Sequence, residues 1–169
     1  MVLGMSLETY TLVHVVVSLV AIATGLIVLF GMLQAKRLDG FTAIFLATTV
    51  LTSVSGFGFP YQHVTPGIII GILSLVVLAI AIVARYARHL AGAWRWIYVV
   101  TAGVALYFNC FVLVVQSFRK VPALKALAPT QTGPPFAIAQ LALLLAFAVL
   151  ITLAVKRFHV EQAAKARAA

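Results

Sequence analysis

Between Tyr10 and Val155 the chain is a succession of five apolar runs, each near the 17–25 residues that a membrane-spanning helix needs. No other feature restricts the fold as much. The runs are 10–33, 41–59, 67–84, 97–116 and 136–155, and short polar clusters separate them. The whole chain of 169 residues is 64% hydrophobic and 9% charged, against about 25% charged in an ordinary soluble domain. A soluble core of this size cannot bury so much apolar surface, so lipid is the expected solvent. The expected fold is therefore all-α, a single membrane domain over 1–169 built as a bundle of five transmembrane helices.

Punctuation agrees with these bounds. The first run ends in a charged turn with Lys36, Arg37 and Asp39, and Pro60 closes the second. Thr65-Pro66 supplies a cap and a first-turn proline for the third. Trp94 and Trp96 lead into the fourth as an interfacial aromatic belt would. Pro134-Pro135 starts the fifth, and Lys156-Arg157 stops it. The N-terminus lacks the positive region and cleavage site of a signal peptide, so the first run is expected to stay.

A net charge of +9 can mean nucleic acid, but that requires a basic patch on a soluble face. Here the cations sit at the ends of apolar runs, so no nucleic-acid partner is expected. Lys36, Arg37, Arg85, Arg88, Arg95, Lys156, Arg157, Lys165 and Arg167 would lie on one side. Arg119, Lys120 and Lys125 would lie on the other. Nine against three places the N-terminus outside and the C-terminus in the cytoplasm. The one cysteine, Cys110, excludes an intramolecular disulfide and reads as a small buried residue.

Helical spacing puts His14, Ser18, Ala21 and Gly25 on one face of the first helix. Thr48, Thr52, Ser55 and Gly56 form a similar stripe in the second, Gly67, Gly71 and Ser74 in the third, and Ala102, Ala105, Asn109 and Gln116 in the fourth. Small residues let helices approach closely in lipid. The polar groups are gathered towards one membrane face: His14, Asn109, Gln116 and Gln140, with Tyr10, Tyr61, Gln62 and His63 beside them. Polar groups in hydrocarbon are costly unless paired, so a one-sided cluster predicts an outward-facing pocket or an interhelical network. The ligand-binding candidates are His14, Asn109, Gln116, Gln140, Tyr61 and His63. The connection 117–135 is expected to cover the pocket, with Val121–Ala128 as a short interfacial helix.

Two histidines on different helices at matching depth can hold a b-type haem, which makes His14 and His63 the candidate metal ligands. A zinc site lacks a third protein ligand. The three acidic residues, Glu8, Asp39 and Glu161, all lie outside the expected hydrocarbon core, which argues against carboxylate catalysis or a proton relay within it. No Walker, Rossmann, GxSxG or HExxH pattern occurs, and no catalytic residues are identified. Three function classes follow: a pocket for a lipophilic ligand or cofactor (haem b or quinone), with electron transfer as its use; a transporter or channel component for a small solute; and a structural or accessory subunit. The expected partners are the lipid bilayer, a quinone, lipid or haem, and either a second copy of the chain or a membrane complex.

Residues 92–140, GAWRWIYVVTAGVALYFNCFVLVVQSFRKVPALKALAPTQTGPPFAIAQ, resemble a recurrent pattern in small bacterial multi-helix inner-membrane proteins of unknown function. His14 followed by small residues and the Lys36-Arg37 turn also resembles a bacterial multi-helix membrane family. The resemblance implies a multi-pass protein of the bacterial inner membrane. It carries over no activity and no functional residues.

Overall fold

The computed structural model describes residues 2, 4–60 and 65–159. Helix α1 spans Leu7–Leu33, α2 Asp39–Gly56, α3 Pro66–Ile82, α4 Trp94–Lys120, α5 Pro122–Leu127 and α6 Pro134–Arg157. A π-helical turn, Val83–Ala87, continues α3 without a break. Four of the six α-helix starts have a local cause. Ser6 caps α1 by accepting from the Thr9 amide, and Thr65 caps α3 by accepting from the Ile68 amide at Pro66. Prolines open α5 and α6, where a missing N–H costs nothing.

Among the described residues, four helices are long and apolar enough to cross a membrane: α1, α3 with its π turn, α4 and α6. The expectation of five spans therefore rests on α2. At 18 residues α2 is about 27 Å long, just short of a hydrocarbon core of about 30 Å. It opens on Asp39 and carries six hydroxyl side chains, which lower its apolar character. Several of those hydroxyls are satisfied by the helix's own backbone: Thr48 donates to Ile44 O and Thr49 to Phe45 O, both at 2.7 Å.

Some bounds differ from the sequence reading. Helix α4 extends three residues earlier and four later than 97–116, because Trp94–Trp96 and Ser117–Lys120 continue the helical ladder. The second helix stops at Gly56 rather than at residue 59. The covering connection shrinks to 121–133, with α5 as its short helix.

Helix α4 is the hub and touches every other helix. Around it run α2, α3, α6 and α1, with α1 packed most extensively on α2. The short connections make successive long helices antiparallel. One face of the bundle thus gathers the starts of α1, α3 and α6 and the ends of α2 and α4; it is called the upper face below. The dense core lies towards the lower face, where Val28, Leu29, Phe45, Leu78, Tyr98 and Leu106 are all at most 3% exposed. Outward, Leu12, Val16, Leu51, Ile72, Ile138 and Leu145 are exposed, as a lipid-facing surface requires.

The lower end is tied by cations. Arg95 donates to Val155 O at 3.1 Å and Phe158 O at 2.8 Å, satisfying carbonyls at the end of α6. Arg85, in the π turn, is buried and pairs with Asp39 at the start of α2, and its guanidinium lies 5.2 Å from the Tyr98 ring centre. The Tyr98 hydroxyl is buried without a hydrogen-bond partner among the described residues. Thr42 and Arg85 stand beside it without a well-aligned bond, so Tyr98→Phe, which keeps the ring, is expected to change stability by no more than about 1 kcal/mol. Unfolding in mixed micelles checks this; a loss above about 1 kcal/mol would mean the hydroxyl is bonded.

Candidate functional site

Towards the upper face the same helices diverge from their close packing. The residues that face inward there are small: Ser18 on α1, Ser53 and Gly56 on α2, Gly67, Gly71 and Ser74 on α3. Lower down, the corresponding volume is filled by Phe45, Leu29 and Leu106. The result is a cavity of ≈ 680 Å³ between α1, α2, α3 and the C-terminal half of α4. That is within the range of about 300–1,000 Å³ typical of small-molecule sites.

Its walls are mainly apolar, with Leu19, Ile22, Ile70, Phe108, Val112 and Leu113 among them. Polar groups interrupt the walls at several depths. Ser53 and Ser74 are buried and bonded to each other at 3.1 Å, joining α2 to α3. Asn109 donates through Nδ2 to Thr49 Oγ1 at 3.3 Å, joining α4 to α2. The Thr49 hydroxyl spends its own proton on Phe45 O, so it is free to accept that bond. Thr52 also lines the cavity, and its buried hydroxyl has no hydrogen-bond partner among the described residues. Gln116 and Ser117 stand near the mouth with Arg119 and Lys120; no carboxylate lines the space among the described residues.

His14 is the ionisable group deepest along the α1 wall. Its Nδ1 lies 2.8 Å from Ser55 Oγ, and its ring meets Phe59 edge-on with centroids 5.1 Å apart. Tyr10 completes this corner: its hydroxyl donates to Ser55 O at 2.6 Å, and its ring also packs on Phe59 at 5.1 Å. Gly58 is required here, because a Cβ would collide with the Tyr10 hydroxyl. The α1–α2 corner is therefore fixed by named contacts.

Of the residues singled out from sequence, the cavity brings together His14, Asn109 and Gln116. Gln140 stands elsewhere: on α6 it donates to Phe111 O at 3.3 Å, and its buried Oε1 has no partner among the described residues. Helix α6 contributes no lining residue, because α4 stands between it and the cavity. Tyr61 and His63 lie outside the described residues. The connection after α4 contributes only Val121 to the lining. Its helix α5 folds back on α4 instead, with Ala128 beyond it 1% exposed, while Phe118 of α4 and Phe136 of α6 meet edge-on at 5.4 Å.

Sequence reasoning passed over Ser53 and Thr49 as functional residues, since both lie off the stripe of Thr48, Thr52 and Ser55. Ser74 was legible only as a packing residue. No signal in the sequence pairs it with Ser53. Among the described residues, no group of three or more His, Cys, Asp and Glu stands close enough to hold a metal ion. Compared with known proteins, the chain matches no family model, no curated protein and no solved structure.

Proposed function

We propose that this is a multi-pass protein of the bacterial inner membrane whose cavity binds an uncharged lipophilic molecule with a polar head, of the quinone class. In this reading all five long helices cross the bilayer, with α2 as a short fifth span. The N-terminus lies outside and the C-terminus in the cytoplasm. The distribution of Lys and Arg supports that orientation, and the cavity then opens to the outer leaflet.

One observation carries the ligand class: apolar walls surround the hydrogen-bonding groups of Asn109, Thr52 and His14, with no carboxylate in the lining among the described residues. A lipophilic ring with oxygen substituents satisfies such a site. A hydrated cation would lose its water shell against apolar walls without gaining a countercharge, and the two cations of the lining, Arg119 and Lys120, stand at the mouth rather than beside Thr52 and Asn109. Electron transfer is the use that a quinone would bring.

The test is extraction and mass spectrometry of lipophiles that co-purify in mild detergent. The wild type should retain a quinone well above the lipid background. Asn109→Leu should lower retention about tenfold, the equivalent of one polar contact, while Gln140→Leu, remote from the cavity, should leave it unchanged. No enrichment in the wild type would remove the reading.

Haem b is the second reading. The observation favouring it is the bond from His14 Nδ1 to Ser55, the kind of support that orients metal-ligating histidines. Oxidised and dithionite-reduced optical spectra decide. A Soret band with sharp reduced α and β bands, lost in His14→Ala, would replace the quinone with haem.

A further inference from the structure

The hydrogen bonds around Ser55 determine which face of the His14 ring is left for a ligand. Ser55 Oγ lies 2.8 Å from His14 Nδ1 and 3.2 Å from the carbonyl oxygen of Thr52. A carbonyl only accepts, and a serine hydroxyl has a single proton to give. Both bonds form together in one assignment: Ser55 donates to Thr52 O, and the Nδ1–H of His14 donates to Ser55 Oγ. If Ser55 instead donated to Nδ1, the bond to Thr52 would be lost. The tautomer is thus assigned from the network. The neutral imidazole then presents a bare lone pair at Nε2, and no described residue donates a hydrogen bond to it. Asn109 adds a second acceptor, since Nδ2 is used on Thr49 and its carbonyl oxygen receives no bond from the described residues. Ser53 donates to Ser74, so the Ser74 proton and the unpartnered Thr52 hydroxyl are the donors left on the wall, and neither is bonded to His14.

We infer that the bound lipophile carries a hydroxyl group that donates to His14 Nε2, so that a phenol or hydroquinone is preferred over its quinone or ether counterpart. The inference rests on the cavity being a ligand site, as proposed above. It adds the sense of the hydrogen bond. A ligand with only carbonyl oxygens would bring further acceptors up to the Nε2 lone pair and leave it desolvated and unpaired. A hydroxyl satisfies it. Ser55 is a positioning residue in this scheme, because it holds the proton on Nδ1.

The test uses the full chain in phosphatidylcholine nanodiscs with two probes, an alkylated naphthol and its methyl ether, which differ in one O–H. Binding is read from the anisotropy of the naphthyl fluorescence. The naphthol should bind the wild type about tenfold more tightly than the ether, the effect of one buried hydrogen bond. His14→Leu should bring that ratio to about one while the ether still binds, and Ser55→Ala, which frees the tautomer, should lower it. Equal binding of both probes to the wild type would overturn the hydroxyl assignment and leave the cavity reading standing. Binding of neither probe would overturn both. Because the wild-type ratio decides on its own, a variant that fails to fold does not shelter the proposal.

Discussion

Asp39→Ala is expected to destabilise the bundle by about 2–3 kcal/mol, although Asp39 itself is 71% exposed. The cost falls on its partner. Arg85 is 2% exposed at the end of α3, and its charge is met by the Asp39 carboxylate, the Arg37 carbonyl at 3.3 Å and the Tyr98 ring. Its Nη1 is already without a partner among the described residues. Removing the carboxylate leaves a guanidinium in the core with one carbonyl and an aromatic face. Breaking a buried pair typically costs about 3–5 kcal/mol; the exposure of Asp39 to water places this one below that range. Adding Arg85→Met should recover most of the loss, because methionine fills a similar volume without a charge to satisfy. Unfolding of the two single variants and the double variant in mixed micelles forms the cycle that isolates the pair. An Asp39→Ala variant within about 0.5 kcal/mol of wild type would mean that the Arg85 charge is met by something other than Asp39.

Gly25→Val should cost about 2–3 kcal/mol by overpacking. A Cβ at position 25 would stand 2.5 Å from Leu106 Cδ1 and 2.8 Å from two ring carbons of Phe45. Both neighbours are essentially fully buried, at 1% exposure, so neither has open space to move into. This is where α1, α2 and α4 meet, and α1 packs more extensively on α2 than on any other helix. Even Gly25→Ala requires a shift and should be measurably unstable, with valine worse. The same unfolding measurement checks the order. If valine were tolerated, the three helices would have to be packed more loosely than their side chains indicate.

These two positions show what could be read in advance. Gly25 was legible: its spacing from His14, Ser18 and Ala21 put it on an inward face, and a small residue there predicts close approach. What it approaches was not legible, since Phe45 and Leu106 belong to other helices. Arg85 was read as one of nine orientation charges at a helix end. The π turn Val83–Ala87 instead turns it inward, onto Asp39 and Tyr98. An extra residue in one helical turn leaves no pattern in composition.

The sequence by itself determined the all-helical fold, the positions of the apolar helices to within a few residues and the faces that are small. Those depend on local quantities: hydrophobic run length, 3.6-residue periodicity, and proline or Ser/Thr at the starts. It also gathered His14, Asn109 and Gln116 at one membrane face, because depth follows from counting residues along each helix. Only the tertiary structure decided that these three share a cavity while Gln140 does not, that α5 folds back on α4, and that Ser55 stands against His14 Nδ1. Depth says nothing about azimuth. Which helices are neighbours around α4 is set by the packing of whole faces, a sum over many contacts that no single stretch of the chain contains.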